Sequence, residues 1–358
     1  MKVPLLDLRA QYATIGSAVE TAVKRVLESG HYILGEDVAG FEHDLIAATG
    51  RGYAIAVSSG TDALLVALMA LGVGAGDEVV TTPLSFFATA GAIARLGARP
   101  VFADIDPRSF NLDAASALAR VTKKTRAILP VHLFGRACEL EPLMRAGVPI
   151  VEDAAQAIGL STLARGTACA TLSFFPSKNL GAAGDAGAVI CEDAEFADRV
   201  RLMRAHGSRP KYVHHVIGGN FRIDTLQAAI LRAKLPHLAA WNIARRRNAE
   251  RYLALLEGTP LVLPEPVDAH VWHHFVVRVP DGKRDALRAH LATREVDSEV
   301  YYPMPLHLQP CFAELGYRPG SLPHAERACA EVLALPVHPD LTAAQQEHVA
   351  TAVREFFR

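Results

Sequence analysis

Two residues in this chain have the types and spacing for carbonyl chemistry. Lys178 lies in Ser173-Phe-Phe-Pro-Ser-Lys178-Asn-Leu-Gly181, just past a short apolar run and ahead of a glycine-bearing turn. Asp153, in Glu152-Asp153-Ala-Ala-Gln156, leaves a second apolar run, Val148-Pro-Ile-Val151, about one crossover earlier. A lysine amine condenses with an aldehyde to form a Schiff base, and a carboxylate keeps a pyridine nitrogen protonated so that the ring accepts electrons. A lysine and a carboxylate at the ends of neighbouring strands are what a pyridoxal phosphate enzyme requires. Each also has a plainer role: Lys178 as a surface lysine, Asp153 as the N-cap of the turn that follows it. The flanking Phe174-Phe175-Pro176 favours burial of Lys178. Burial lowers an amine's pKa and makes it a usable nucleophile and proton carrier.

Other residues extend the pattern. Ser58-Ser-Gly-Thr-Asp62 joins an apolar run to a helical one, so its backbone N–H groups can face an anion at a helix N-terminus. The same residues also suit an ordinary capped helix. Gln156, three residues past Asp153, can share its side of a helical turn and reach the phenolic oxygen of a ring held by Asp153. Phe86 and Phe87 read as core on their own, or as a ring stacked flat on a cofactor beside these motifs. His270, His273 and His274, like His214 and His215, lack a carboxylate or cysteine partner at metal-binding spacing, and no metal site is expected. No Walker A motif, no Gly-x-Gly-x-x-Gly after a strand and no Gly-x-Ser-x-Gly elbow is present.

The elements that must position these groups follow from periodicity. Helical patterns cover Ile15 to Ser29 and Val38 to Thr49, and the β-type run Tyr53 to Val57 precedes a helix from Asp62 to Leu71. Strand, turn and helix then alternate through Glu78–Thr81, Pro100–Ala103, Ala127–Val131 and Val148–Val151, with further strands at Leu172–Phe175 and Gly187–Ile190. Such alternation predicts a mostly parallel sheet covered on both faces. Ligands bind beyond the carboxyl ends of such strands, where Ser58, Asp153 and Lys178 fall. A long helical pattern from Thr225 to Leu256 leads into an α+β region. It has strands at His273–Val279 and Val296–Tyr301 and helices at Arg284–Thr293, His324–Val332 and Ala343–Phe357. The 358 residues suit a large domain, 1–245, and a smaller C-terminal one, 246–358.

With 37 Lys and Arg against 38 Asp and Glu, the net charge of −1 carries no footprint for nucleic acid or anionic membrane. Five scattered cysteines without a Cys-x-x-Cys pair fit free thiols in a reducing compartment. Without a signal peptide or an apolar span, a cytoplasmic location is expected.

In their order along the chain these motifs resemble the DegT/DnrJ/EryC1/StrS aminotransferases. The resemblance runs from Pro4-Leu-Leu-Asp-Leu through Ser29-Gly-x-Tyr-Ile-Leu-Gly35, Ser59-Gly-Thr-Asp-Ala-Leu, Gly76-Asp-Glu-Val and Phe102-Ala-Asp-Ile-Asp106. It continues through Pro130-Val-His-Leu-Phe-Gly135, the Asp153 and Lys178 motifs, Gly219-Asn-Phe-Arg222 and Tyr302-Pro-x-Pro-Leu-His307. It implies the fold-type I architecture of pyridoxal phosphate enzymes, with pyridoxamine phosphate formed during turnover. The implied reaction moves an amino group, with glutamate as donor, to a nucleotide-linked keto sugar. By resemblance Lys178 is the Schiff-base lysine, Asp153 pairs with the pyridine nitrogen, Gln156 contacts the ring hydroxyl and Phe86 stacks on the ring. Gly60, Thr61 and Ser173 hold the phosphate. Asn220 reaches the phosphate of a neighbouring subunit's cofactor, which implies a homodimer with shared sites. His31, Tyr32, Tyr302 and His307 are candidates for the sugar, or for inter-domain packing, and Arg222 for a structural role or the donor carboxylate.

Three departures stand out. Ala157–Leu172 is shorter than the family's usual segment, which forms a strand pair; Ala186 replaces a usual glycine; Phe86 replaces the Trp or Tyr of some relatives. Lys178 argues against the family's sugar dehydratases, which carry histidine there. Action on an aminocyclitol or aminobenzoate carbocycle, or a cofactor-binding regulator without turnover, are the alternatives. The sequence does not name the sugar, the nucleotide or the carbon that receives nitrogen.

Overall fold

The computed structural model describes residues 1–358. Two helices come first, α1 (Leu8–Ser29) and α2 (Glu36–Thr49). The sheet region follows as β1 (Tyr53–Val57), α3 (Gly60–Ala70), β2 (Glu78–Thr81), α4 (Ala88–Arg95), β3 (Arg99–Phe102), α5 (Ala114–Leu118) and β4 (Thr125–Leu129). It continues as α6 (Glu141–Met144), β5 (Val151–Asp153), β6 (Cys169–Ser173), β7 (Gly187–Cys191), α7 (Ala194–Arg204) and α8 (Thr225–Lys234). Helix α9 (Leu238–Leu256) leads to β8 (Phe275–Arg278), α10 (Arg284–Thr293), α11 (Pro323–Glu331), β9 (Val332–Leu335) and α12 (Ala343–Phe356).

Two ladders, β3-β2-β4 and β1-β7-β6-β5, are joined where Ile128 pairs with Ile150 and Val131 with Asp153. The result is one sheet in which β3, β2, β4, β5 and β6 are parallel and β7 is antiparallel to both its neighbours. That reversal matters for the chemistry. Because β7 runs back against β6, the connection carrying Lys178 is a wide hairpin that begins and ends at the same edge of the sheet. Its two ends, Ser173 and Gly187, are paired, and Gly187 also pairs with Val57 at the end of β1. Three strand ends thus converge at the carboxyl edge.

Local sequence explains several boundaries. Helix α1 starts at Leu8, earlier than periodicity predicts, because the Asp7 carboxylate accepts the N–H groups of Arg9 (3.1 Å) and Ala10 (2.9 Å). It stops at Gly30, whose φ of 68° is left-handed. Helix α3 is apolar nearly all round, and Ala63 to Leu68 are buried. It is therefore held between the sheet and its flanking helices α4 and α7.

The smaller region holds the antiparallel pair β8–β9 among α10, α11 and α12. Val296–Tyr301 is not a laddered strand: it makes single bridges only, Val296 to Val3 and Glu299 to Ala334. Val3 therefore lies with the smaller region, although it precedes the large one in the chain. The shortened segment after Gln156 forms turns instead of a strand pair before β6 begins at Cys169. Its apolar residues Ile158, Leu160, Leu163 and Ala164 are buried against Phe174 and Leu172.

The two regions are clipped together by Asp104. Its carboxylate accepts the N–H groups of His324 and Ala325, both 3.0 Å, at the start of α11. A cross-domain cap of this kind satisfies donors that the helix cannot. Replacing Asp104 with alanine is expected to lower the unfolding free energy by about 1–2 kcal/mol, read from urea midpoints at constant slope.

Candidate active site

Asp153 ends β5 and is buried, with 4% of its surface exposed. One carboxylate oxygen accepts the Thr89 hydroxyl at 2.7 Å and the other accepts the Ala155 N–H at 3.1 Å. Burial raises the Asp153 pKa, against the opposing pull of the Thr89 hydroxyl, the Ala155 N–H and the nearby Lys178 amine. The backbone is fixed too: Asp153 donates to Pro130 O (2.8 Å) and accepts from His132 N (3.0 Å).

Lys178 lies on the β6–β7 hairpin, half-buried and close enough to Asp153 for their charges to interact. Desolvation pushes its pKa down to about 8, against the pull of Asp153. The next residue anchors the loop. Asn179 donates through Nδ2 to Asn242 Oδ1 (2.8 Å) and to Val271 O (3.0 Å). With both amide hydrogens used, its Oδ1 accepts from His273 Nδ1 at 3.0 Å. Burial keeps His273 well below its ordinary pKa, so the ring serves as a neutral donor.

Against Ser173, where the Lys178 hairpin leaves β6, lies the N-terminus of α3. Ser59 caps it by accepting the Asp62 N–H at 3.0 Å, and the Ser58 hydroxyl donates to the Asp62 carboxylate at 2.6 Å. The first N–H groups of the helix, at Gly60 and Thr61, have no intrahelical partner by geometry and are free for an anion. Glycine is required here. A Cβ on Gly60 would stand 2.5 Å from Ser173 Cβ, and one on Gly187 would stand 2.4 Å from Ser59 O. This close approach sets the Ser173 hydroxyl beside the helix N-terminus.

The remaining candidates fall in different places. Gln156 accepts the Phe134 N–H on Oε1 at 2.6 Å, which leaves Nε2 as the outward donor, 3.4 Å from the Tyr302 hydroxyl. Phe86 is 59% exposed, with its ring 6.3 Å from that of Tyr302. Tyr302 thus reaches the site from the smaller region. Asn220 and Arg222 line a separate cavity of about 380 Å³ with Ser58, Asp185 and Ile33. His31 and Tyr32 are exposed on the segment that carries Ile33 to that cavity. His307 is placed elsewhere. Its buried ring meets Glu326 at 3.2 Å and packs against Phe102 and Tyr317, so it takes the inter-domain packing role and not a sugar contact. The His270 ring stacks on Trp272 with centroids 3.9 Å apart.

Sequence reasoning gave no role to Glu152 and His132. Both are fully buried. Cys138 N–H donates to His132 Nδ1 (2.9 Å), so Nε2 carries the proton and donates to Glu152 at 2.9 Å. The other Glu152 oxygen accepts Ala164 N–H (2.9 Å) and the Thr167 hydroxyl. Strand alternation aims Glu152 away from Asp153, where it ties down the shortened segment. Thr89 was equally invisible, because nothing in Phe86-Phe-Ala-Thr89 marks a hydroxyl aimed across 64 positions of chain.

The donor set fits pyridoxal phosphate: a lysine of depressed pKa, a buried carboxylate, an outward amide donor and a glycine-lined helix N-terminus beside a serine. In cofactor-free protein, labelling of Lys178 by an amine-acylating reagent is expected to reach half its maximal rate near pH 8. A free lysine would titrate near 10.4. Peptide mapping across a pH series measures this directly.

The model of the DegT/DnrJ/EryC1/StrS aminotransferase family matches residues 13–354. A "pleiotropic regulatory protein" of Geobacillus stearothermophilus is 48% identical over 100% of this chain and 99% of its own. The dTDP-3-amino-3,4,6-trideoxy-alpha-D-glucose transaminase of Streptomyces venezuelae is 42% identical, over 99% and 96%. The crystal structure of NtdA from Bacillus subtilis with bound cofactor PMP superposes with a TM-score of 0.95 at 32% identity, covering 99% of this chain and 85% of that one.

Proposed function

This chain belongs to the DegT/DnrJ/EryC1/StrS aminotransferase family, and we propose that it transfers an amino group from glutamate to a keto sugar carried on a nucleoside diphosphate. It is a pyridoxal phosphate-dependent transaminase. The observation that carries the reading is the meeting of Lys178, Asp153 and the α3 N-terminus at one edge of the sheet, with every group the chemistry needs retained.

When bound, the cofactor's protonated ring draws off the electron pair released at the donor's α-carbon. The residues do the rest. Asp153 holds a proton at the ring nitrogen, and Gln156 Nε2 donates to the ring oxygen. The N–H groups of Gly60 and Thr61, with Ser173, hold the phosphate, and Phe86 covers one face. Lys178 Nζ takes the α-proton from the donor and, in the second half, delivers a proton to the acceptor. An amine with pKa about 8 is poised to do both near neutrality. The phosphate grip and the walls of the site orient the reactants and limit water. Tyr302 and the exposed His31 and Tyr32 are positioned to meet the sugar nucleotide.

The reading includes a homodimer. Asn220 closes the segment 206–219, which begins with the Ala205–Asn220 pair and carries Tyr212, 80% exposed, and Ile217, 91% exposed. Such apolar exposure on a projecting segment fits burial against a second copy. There Asn220 would complete the neighbour's phosphate site. The 1–245 and 246–358 division places most of the site in the larger unit and Tyr302 in the smaller. The reading keeps a cytoplasmic location; no helix is long and apolar enough to cross a membrane.

The Geobacillus relative, a pleiotropic regulatory protein by name, supplies a second reading, binding without turnover. Turnover decides between them. Glutamate is expected to bleach the yellow band of reconstituted protein, and a dTDP- or UDP-linked keto sugar to restore it. Lys178→Ala is expected to lose at least about 10⁴-fold in rate while keeping its circular dichroism spectrum. A persistent band in glutamate, or turnover by Lys178→Ala, removes the assignment. Mixed dimers of Lys178→Ala and Asn220→Ala subunits are expected to recover one working site of the two. No recovery would remove the shared site.

A further inference from the structure

The two hydroxyls behind Asp153 form a directed chain. Thr89 is fully buried and Ser85 nearly so. The Ser85 and Thr89 oxygens are 2.7 Å apart, and Thr89 Oγ1 is 2.7 Å from Asp153 Oδ2. An ionised carboxylate only accepts, so the single Thr89 hydrogen points at Asp153. Ser85 must therefore be the donor in the Ser85–Thr89 contact. Both hydrogens run one way, towards the negative charge, and each bond polarises the next.

The placement of the two residues explains why they fall in register. Thr89 lies in the first turn of α4 and Ser85 four residues earlier, in the lead-in from β2. That lead-in turns through Thr82, whose Oγ1 accepts the Leu84 N–H at 3.2 Å. The chain thus enters α4 with the Ser85 and Thr89 side chains stacked on the face turned to β5. Phe86, between them, points outward into the site. One short segment supplies both the ring face and the support for the carboxylate.

We propose that Thr89, held by Ser85, is a positioning residue that keeps Asp153 ionised and aimed at the cofactor's ring nitrogen. The inference rests on the transaminase reading above, in which Asp153 pairs with that nitrogen. A charge-assisted hydrogen bond favours the ionised form of its acceptor, and here it opposes the desolvation that burial imposes. Its second oxygen is fixed by the Ala155 N–H, so the carboxylate plane is set from two sides. The titratable groups that face Asp153 from the surrounding elements are Lys178 on the β6–β7 hairpin, the neutral His132 ring after β4 and Tyr302 from the smaller region. None of them touches the oxygen that Thr89 holds.

The test is the equilibrium affinity of cofactor-free protein for two probes. One is pyridoxal phosphate; the other is its analogue with carbon in place of the ring nitrogen. Both can condense with Lys178 and fill the phosphate site, but only the first can pair with Asp153. Thr89→Val keeps the shape and removes the hydroxyl. It is expected to weaken pyridoxal phosphate binding roughly tenfold or more and to leave analogue binding unchanged. Thr89→Ser is expected to restore affinity, and Ser85→Ala to show a smaller loss of the same selective kind. An equal loss for both probes in Thr89→Val would make the residue merely structural, and no loss for either would make it irrelevant; each overturns the proposal. Asp153→Asn is the control for the underlying reading. If wild type and Asp153→Asn favour pyridoxal phosphate over the analogue to the same degree, the ring-nitrogen assignment itself falls, apart from any result at Thr89.

Discussion

The structure is organised around a carboxylate charge in a place that water barely reaches. A buried, unpartnered carboxylate is unstable by several kcal/mol and takes up a proton instead. At Asp153 burial still raises the pKa, and the sheet opposes it by bringing partners from three directions. The β4–β5 junction pins its backbone through Pro130 and His132, α4 supplies Thr89, and the turn after β5 supplies the Ala155 N–H. Parallel strands make this possible. Their carboxyl ends converge on one edge, so groups distant in sequence arrive together without any of them sitting on a long free loop.

The lysine obeys a related constraint with the opposite sign. An amine loses its proton more readily when desolvated, and Lys178 is held at about 8 by that effect against the attraction of Asp153. It could relieve the cost by swinging into solvent. The hairpin prevents this, because Ser173 and Gly187 are paired in the sheet and Asn179 is tied to Asn242, Val271 and His273. The reversal of β7 is therefore as much a part of the catalytic arrangement as the lysine. A parallel β7 would have sent the chain after Ser173 to the far edge.

Much of this was legible in sequence. Strand–turn–helix alternation marked the sheet, and the residue types of Lys178, Asp153 and Ser59-Gly60-Thr61 marked its working edge. The misses share one physical cause, since each depends on a partner far away in the chain. Periodicity offers nothing to link Val3 with Val296 or Thr89 with Asp153. The early start of α1 was a local miss, for Asp7 is a plain capping residue ahead of the helix. The shortened segment after Gln156 shows the converse. It forms turns and is held in place because Glu152 bonds Ala164 and Thr167 while four apolar residues fill the space beneath.

The same reasoning bears on where substrate choice resides. On the proposed reading the cofactor groups come from strand ends, the β6–β7 hairpin and one helix N-terminus, all anchored to the sheet. Tyr302 and Phe86, by contrast, meet across the junction of the two regions, and the Gln156 amide reaches the Tyr302 hydroxyl. The smaller region is fastened to the larger by Asp104 on α11, and Phe102, two residues before Asp104, packs against His307 and Tyr317. His307, in that cluster, lies five residues along the chain from Tyr302, so its packing bears on where that segment sits without touching Asp153 or Lys178. On the proposed reading, His307 bears on the sugar pocket through packing, while the cofactor groups stay held by the sheet.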